Sequence, residues 1–197
     1  DAVDANQLPG EFHNVDITST KAVKAAVAKL DDGTVLLVNN AGITRDRTLM
    51  KMQDDEWQSV IDTNLTGSFK MIRAMAPLMT RAGYGRIVNI ASINGLRGKF
   101  GQANYTAAKA GLVGLTKTAA REFGRKGITA NVIAPGMVKT ALTTSLPAEI
   151  LERACSETAT GELAITDDVA DATLFLLSDP SSAITGSVLQ VDSGQYL

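Results

Sequence analysis

Cys155 and His13 are the only cysteine and the only histidine in this 197-residue sequence. One thiol excludes an internal disulfide and a cysteine-built metal cluster. One imidazole leaves neither a histidine zinc site nor a Ser-His-Asp triad to assemble, so no metal is expected and proton transfer falls to other groups. An excess of either charge is also missing: 19 Lys and Arg against 21 Asp and Glu leave a net charge of −2. That balance provides no field for nucleic acid or an anionic membrane surface, and neither partner is expected. No run of about 18 apolar residues occurs, so the expectation is a soluble, cytoplasmic protein. Repeats, low-complexity tracts and linkers are absent as well, which with the length argues for one domain over residues 1–197.

What the sequence does contain is an alternation of short β-branched runs with longer helical patterns. Strands are predicted at "FHNVD" (12–16), "TVLLVNNAG" (34–42), "GRIVNIASI" (85–93), "GITANVIAPG" (127–136) and the closing "SVLQVDSG". Helices are predicted from about Thr18 to Leu30, as one short and one long helix before Gly83, from Ala103 to Arg125, near Pro147–Cys155, and over Thr166–Leu177. Continuously apolar strands separated by helices predict an α/β fold, a doubly wound parallel sheet in three layers.

Unusual residues collect at one place in this plan, the carboxyl ends of the strands. Asp16 ends the first, Asn39-Asn40-Ala41-Gly42 the second, Ser92 the third and Pro135-Gly136 the fourth. Asn, Gly and Pro terminate strands everywhere, so each alone has an ordinary explanation. Four together mark a cleft, because open parallel sheets bind ligands outside their carboxyl edge. Tyr105 and Lys109 stand four residues apart in a predicted helix and therefore share a face. A free phenol titrates near pH 10, and a neighbouring ammonium is expected to lower that value toward the range of acid–base catalysis. Ser92 is placed to hydrogen-bond the same oxygen that Tyr105 would protonate.

The set "NNAG", Asn64 in "NLTG", Ser92, Tyr105 and Lys109 in "YTAAK", and "APG" resembles the short-chain dehydrogenase/reductases, in order and in spacing. The likeness runs from "VDITS" to "VLQVDSGQYL". Within the family, "NNAGITRDRTLMKM" and "GQANYTAAKAGLVGLTK" are most similar to 3-oxoacyl-(acyl-carrier-protein) reductases, with acetoacetyl-CoA reductases close by. The resemblance implies a Rossmann-like fold, fatty acid biosynthesis, and hydride transfer between a nicotinamide and a carbonyl. It implies Tyr105 as proton donor and Ser92 as the group that orients the oxygen. Lys109 would lower the tyrosine pKa and hold the nicotinamide ribose, and Asn64 would hold a water leading from Lys109 to solvent. Asn64 has a simpler reading too, an amide that satisfies backbone at a helix kink. For the cofactor, the resemblance implies Asp16 and Ile17 at the adenine, Asn40, Ala41 and Gly42 along the adenosine ribose side, and Pro135, Gly136, Val138 and Thr140 at the carboxamide. Asp16 could equally cap the turn that follows it.

The glycine-rich turn that holds the cofactor pyrophosphate in this family has no counterpart here. In the strand order 3-2-1-4-5-6, the two strands of that unit would lie between "FHNVD" and "TVLLVNN". Without them those strands stand about 14 Å apart with unpaired edges. The expectation is therefore an N-terminally incomplete domain belonging to a longer polypeptide. The residue that selects between NAD and NADP is out of view unless it is Asp4, and NADP(H) is favoured over NAD(H) on the reductase likeness alone.

Arg45, Arg47, Lys51, Arg97 and Lys99 are expected near the rim of the cleft. They suit an acidic acyl-carrier protein or the phosphates of coenzyme A, although solvated surface charge explains each one singly. The stretch from Met137 to about Gly161, with Leu142 and Leu146, reads as a cover over the substrate. Arg125 and Lys126 suit the dipole at a helix C-terminus. Small residues on the Tyr/Lys helix (Ala107, Ala108, Ala110, Gly111, Gly114) permit close packing, and the family likeness implies a homotetramer. Two other functions fit the same residues. One is a dehydrogenase of a different secondary alcohol: a hydroxyacyl-CoA, a sugar or an alicyclic alcohol. The other is a catalytically inactive partner subunit.

Overall fold

The computed structural model describes residues 11–197, apart from the side chains of Leu142 and Thr144. Asp4 and the Leu142 side chain thus lie outside the described residues. The strands are β1 (Leu36–Asn39), β2 (Gly85–Ile90), β3 (Ile128–Pro135), β4 (Val138–Lys139), β5 (Ala164–Ile165) and β6 (Val188–Val191). A parallel sheet runs β1-β2-β3-β6, while β4 and β5 pair separately. Register sets Leu37 beside Ile87, Ile87 beside Ala130, and Ile133 beside Leu189.

The helices are α1 (Thr20–Val27), α2 (Asp54–Ile61), α3 (Ser68–Ala82), α4 (Asn94–Arg97), α5 (Ala103–Phe123), α6 (Ala141–Thr144), α7 (Ala148–Ser156) and α8 (Thr166–Leu177). Strand alternation divides the core between the two faces of the sheet. Ile87 and Ile128 pack with Val23, Ile72, Met75 and Met79 under α1, α3 and α5. Val88 and Ile133 pack with Leu176 of α8 on the other face. Each of these fully buried apolar side chains contributes about 1.5–3 kcal/mol of transfer free energy. The expected three-layer α/β architecture is therefore present.

Three expectations need correction. Residues 12–16 are not a strand, because no described strand lies beside "FHNVD" to complete a ladder. The first helix starts at Thr20 rather than Thr18, since the Asp16 carboxylate takes both the N–H and the hydroxyl of Thr18 in a turn. Ser19 then caps the helix by accepting from the Ala22 N–H. The short and long helices before Gly83 are one continuous rod in which α2 passes into α3 through a π-helical stretch, Asp62–Gly67. Gly83 closes that rod with a φ of 66°, as a left-handed C-cap. β1 is an edge of the main sheet and buries only alternate residues: Leu37 and Asn39 are inside, while Leu36 and Val38 are exposed.

Candidate active site

The carboxyl ends of β1, β2 and β3 open onto one cleft with two lobes. The larger lobe, about 380 Å³, is lined by Asn40, Gly42, Ile43, Ser92, Tyr105, Lys109, Pro135 and Gly136. The smaller, about 190 Å³, is lined by Asn94, Arg97, Lys99, Gln102, Met137 and Gln195. Ser92 and Tyr105 border both. Of the residues read from sequence, Asn40, Gly42, Ser92, Tyr105, Lys109, Pro135 and Gly136 thus meet in one place. Ala41, Asp16, Ile17, Val138 and Thr140 do not line either lobe.

The reacting groups are positioned by buried polar anchors. Ser92 follows β2, and its Oγ accepts from the Asn94 N–H at 3.1 Å. A hydroxyl that accepts this bond keeps its own proton to donate. Ser92 and Tyr105 line the same two lobes, so their hydroxyls face one space. Tyr105 is fixed by Asn104, which is fully buried. Asn104 Oδ1 accepts from the Tyr105 N–H, and its Nδ2 donates to the carbonyls of Arg45 and Glu56. One amide therefore holds the start of α5 against the 45–47 loop and α2. Sequence reasoning missed this residue, whose position directly before Tyr105 at a helix start was the available signal.

Burial pushes the Tyr105 phenol above its usual pKa, opposed by the neighbouring Ser92 hydroxyl and reinforced by the charge of Asp46. The lowering expected from Lys109 is thus not what the structure shows. Lys109 Nζ lies 5.6 Å from the Tyr105 ring centroid and donates to the Ile90 carbonyl at 2.6 Å. Desolvation brings the Lys109 ammonium down to about 8. The phenol is accordingly held as a neutral proton donor at pH 7, beside an amine that gives up its charge easily.

Asn64 sits in the π-helical stretch and is fully buried. Its Oδ1 accepts from the Ile43 N–H and its Nδ2 donates to the Ile43 carbonyl, at 2.8 and 2.9 Å. The kink-amide reading is therefore what its geometry provides, and each of the two atoms keeps a second hydrogen-bonding position. Behind it, Asn39, Asn89 and Thr116 form a buried hydrogen-bond chain that ties β1, β2 and α5 together. Asn39 thus belongs to the scaffold, whereas Asn40 faces the cleft.

Gly42 keeps the floor of the larger lobe open. A Cβ there would stand 3.4 Å from Asn64 Oδ1 and 3.6 Å from Lys109 Nζ, so any larger side chain would occupy the space before the lysine. The open floor, the buried amine and the Pro135-Gly136 wall fit the nicotinamide and its ribose. Asp16 is engaged with Thr18, and the Ile17 side chain packs against Gly67. Thr140 caps α6 by accepting from the Thr143 N–H, and the Val138 carbonyl accepts from the Thr143 hydroxyl. Among the expected rim cations, Arg47 is paired with Glu56 at 2.7 Å and Arg97 with Glu157 at 3.6 Å.

A doubly wound parallel sheet with a Ser-Tyr-Lys set at its carboxyl edge defines a Rossmann-type oxidoreductase architecture. The family model described as Enoyl-(Acyl carrier protein) reductase matches residues 3–195, and the chain belongs to this family of short-chain dehydrogenase/reductases. Among its relatives, the 3-oxoacyl-(acyl-carrier-protein) reductase FabG of Salmonella typhimurium is 46% identical over 82% of this chain and 66% of that protein. The FabG of Escherichia coli (strain K12) is 41% identical over 93% of this chain and 76% of its own. The acetoacetyl-CoA reductase of Rhizobium meliloti is 46% identical over 92% and 77%. The chain thus spans about two thirds to three quarters of the length of these relatives. A crystal structure provisionally described as a gluconate dehydrogenase from Agrobacterium tumefaciens superposes with a TM-score of 0.87 at 34% identity, over 91% of this chain and 73% of that one.

Proposed function

We propose that this chain reduces 3-oxoacyl thioesters, carried on acyl-carrier protein or coenzyme A, to their 3-hydroxyacyl forms. The observation that carries the proposal is the neutral Tyr105 hydroxyl beside Ser92 at the seam of the two lobes, with the Lys109 amine 5.6 Å from the Tyr105 ring centroid. When bound, the nicotinamide dinucleotide, favoured as NADP(H), supplies the hydride. Tyr105 gives its proton to the substrate carbonyl oxygen, and Ser92 donates a hydrogen bond to that oxygen as charge develops on it. The nearby Lys109 ammonium stabilises the phenolate that remains. Asn64 holds the Ile43 backbone, and with it the wall of the cofactor lobe, and its spare hydrogen-bonding positions suit a water that returns protons to Lys109. Asp16, Ile17 and Ala41 are assigned to the adenosine half, with Asn40 and Gly42. Val138 and Thr140 join Pro135 and Gly136 at the carboxamide.

The protein is further proposed to be a cytoplasmic homotetramer. A groove of about 710 Å³ between α3 and α5, lined by Phe69, Pro77, Leu115, Ala119 and Phe123, supports a second copy as its occupant. No helix among the described residues is long and apolar enough to cross a membrane.

The test uses the full-length protein and NADPH oxidation with an acetoacetyl thioester, a crotonyl thioester and a ketogluconate as hydride acceptors. Turnover of the 3-oxoacyl thioester is expected. A preference for the crotonyl thioester would instead favour the enoyl reduction in the family's description, and a preference for the ketogluconate a dehydrogenase of another secondary alcohol. Tyr105→Phe should lower kcat by about 10²–10⁴-fold and leave NADPH affinity within about twofold. Substantial turnover in that variant would falsify the assigned proton donor.

A further inference from the structure

The stretch 137–157, which carries β4, α6 and α7, leaves the cleft wall after Gly136 and returns at the C-terminal end of α7. Both ends of this arch arrive at one side chain. Gln195 Oε1 accepts from the Met137 N–H at 2.9 Å, at the start of the arch. Its Nε2 donates to Glu157 Oε2 at 3.2 Å, at the end. Gln195 is buried, and it lines the smaller lobe together with Met137. Because an amide offers an acceptor on one side and donors on the other, this one group can join a backbone N–H to a carboxylate. A carboxylate or a thioether in its place cannot.

The surroundings lock that amide in place. Arg97 donates to the Gln195 backbone carbonyl at 3.4 Å and pairs with Glu157, the acceptor of the amide, at 3.6 Å. Arg97 Nε also bonds Asn94, Asn94 bonds Gln102, and Gln102 bonds Asp46. A continuous polar belt thus runs around the smaller lobe, from the loop after β1 to the C-terminal turn. The contact is also close at the backbone. A Cβ at Gly136 would come within 2.8 Å of both Gln195 Oε1 and Asp192 Cβ, so the end of β3 lies directly on the 192–195 turn.

We infer that Gln195 is a positioning residue that clasps the two stems of the 137–157 arch and so sets the wall of the substrate lobe beside Ser92 and Tyr105. It touches neither reacting atom. Its effect is on how well the lobe is formed before substrate arrives, and it therefore belongs in KM rather than kcat. The kinetic part of this inference rests on the proposed reductase reading, while the structural part does not.

The test takes the full-length protein with Gln195→Met, which keeps volume and removes both hydrogen bonds. A second variant exchanges the pair, Gln195→Glu together with Glu157→Gln. In the exchanged pair one carboxylate oxygen still accepts from the Met137 N–H and the other accepts from the new amide. Two readouts are taken: hydrogen exchange of amides 138–156, which needs no activity, and KM against kcat for the substrate that is turned over. Gln195→Met should speed exchange in the arch by at least about tenfold, since two hydrogen bonds of ordinary worth are lost together. It should raise KM by a similar factor with kcat within about twofold. The exchanged pair should return both readouts toward wild type. Wild-type exchange in the arch of Gln195→Met overturns the clasp, as does an exchanged pair that folds but stays as fast as the single variant. A clasp upheld by exchange in a protein that turns over no 3-oxoacyl thioester would overturn only the reductase reading.

Discussion

Lys109 is the residue at which burial and chemistry oppose each other most openly. Its amine is brought from 10.5 to about 8 by desolvation, with the Ile90 carbonyl as its hydrogen-bond acceptor. Between about pH 8 and 10.5 the unfolded chain binds more protons than the folded one, so stability rises with pH across that window. Below about 8 both states are protonated and the full cost of burying the charge remains, on the order of 3 kcal/mol. Lys109→Met is therefore expected to stabilise the cofactor-free protein at pH 7 by about 2–3 kcal/mol and to flatten the rise above pH 8. Urea denaturation across that pH range checks both. The same change should weaken reduction, and in the wild type the rate should fall as pH climbs through about 8 and the ammonium is lost. A wild-type profile that stays flat to pH 9 would remove Lys109 from the proton path.

The continuous α2–α3 rod shows what a single element does for the site. Its π-helical stretch, Asp62–Gly67, inserts an extra residue per turn and directs Asn64 into the core, where the amide binds both backbone groups of Ile43. Gly67 lets Ile17 pack closely at the same place, because a Cβ there would fall 2.7 Å from Ile17 Cδ1 and that side chain would have to shift. Asn64→Leu removes two hydrogen bonds and leaves Ile43 without those partners, at a cost of about 2–4 kcal/mol in stability. It should also loosen the Gly42 wall and raise the Kd for NADPH. Calorimetric unfolding and fluorescence titration read the two effects separately, and an unchanged Tm would mean that water replaces the amide. "NLTG" was recognisable in the sequence, but the π geometry was not. Periodicity over six residues cannot separate one bent rod from two helices.

Across the whole molecule, the two faces of the sheet are covered unequally. α1, α3 and α5 lie over one face, α8 lies over part of the other, and Leu36 and Val38 of β1 remain exposed. The outer groove between α3 and α5 is an apolar concavity of about 710 Å³, with Phe69 39% exposed at its rim. If a second copy fills it, Phe69→Glu places a charge in a desolvated contact and should split the assembly. Sedimentation of the full-length protein would then show a smaller species than the wild type. Equal masses for both would move the interface elsewhere.

The sequence by itself determined the alternation of strands and helices, the gathering of Asn40, Gly42, Ser92 and Pro135-Gly136 at strand ends, and the Tyr105/Lys109 pairing. Each of these follows from local periodicity or from the fixed direction of parallel strands. Only the tertiary structure decided the protonation of the site, because the pKa values of Tyr105 and Lys109 depend on how much water the surrounding helices exclude. It alone also revealed Asn104 and Gln195. Their amides join segments far apart in the chain, and no spacing in a sequence encodes which distant backbone group an amide will reach.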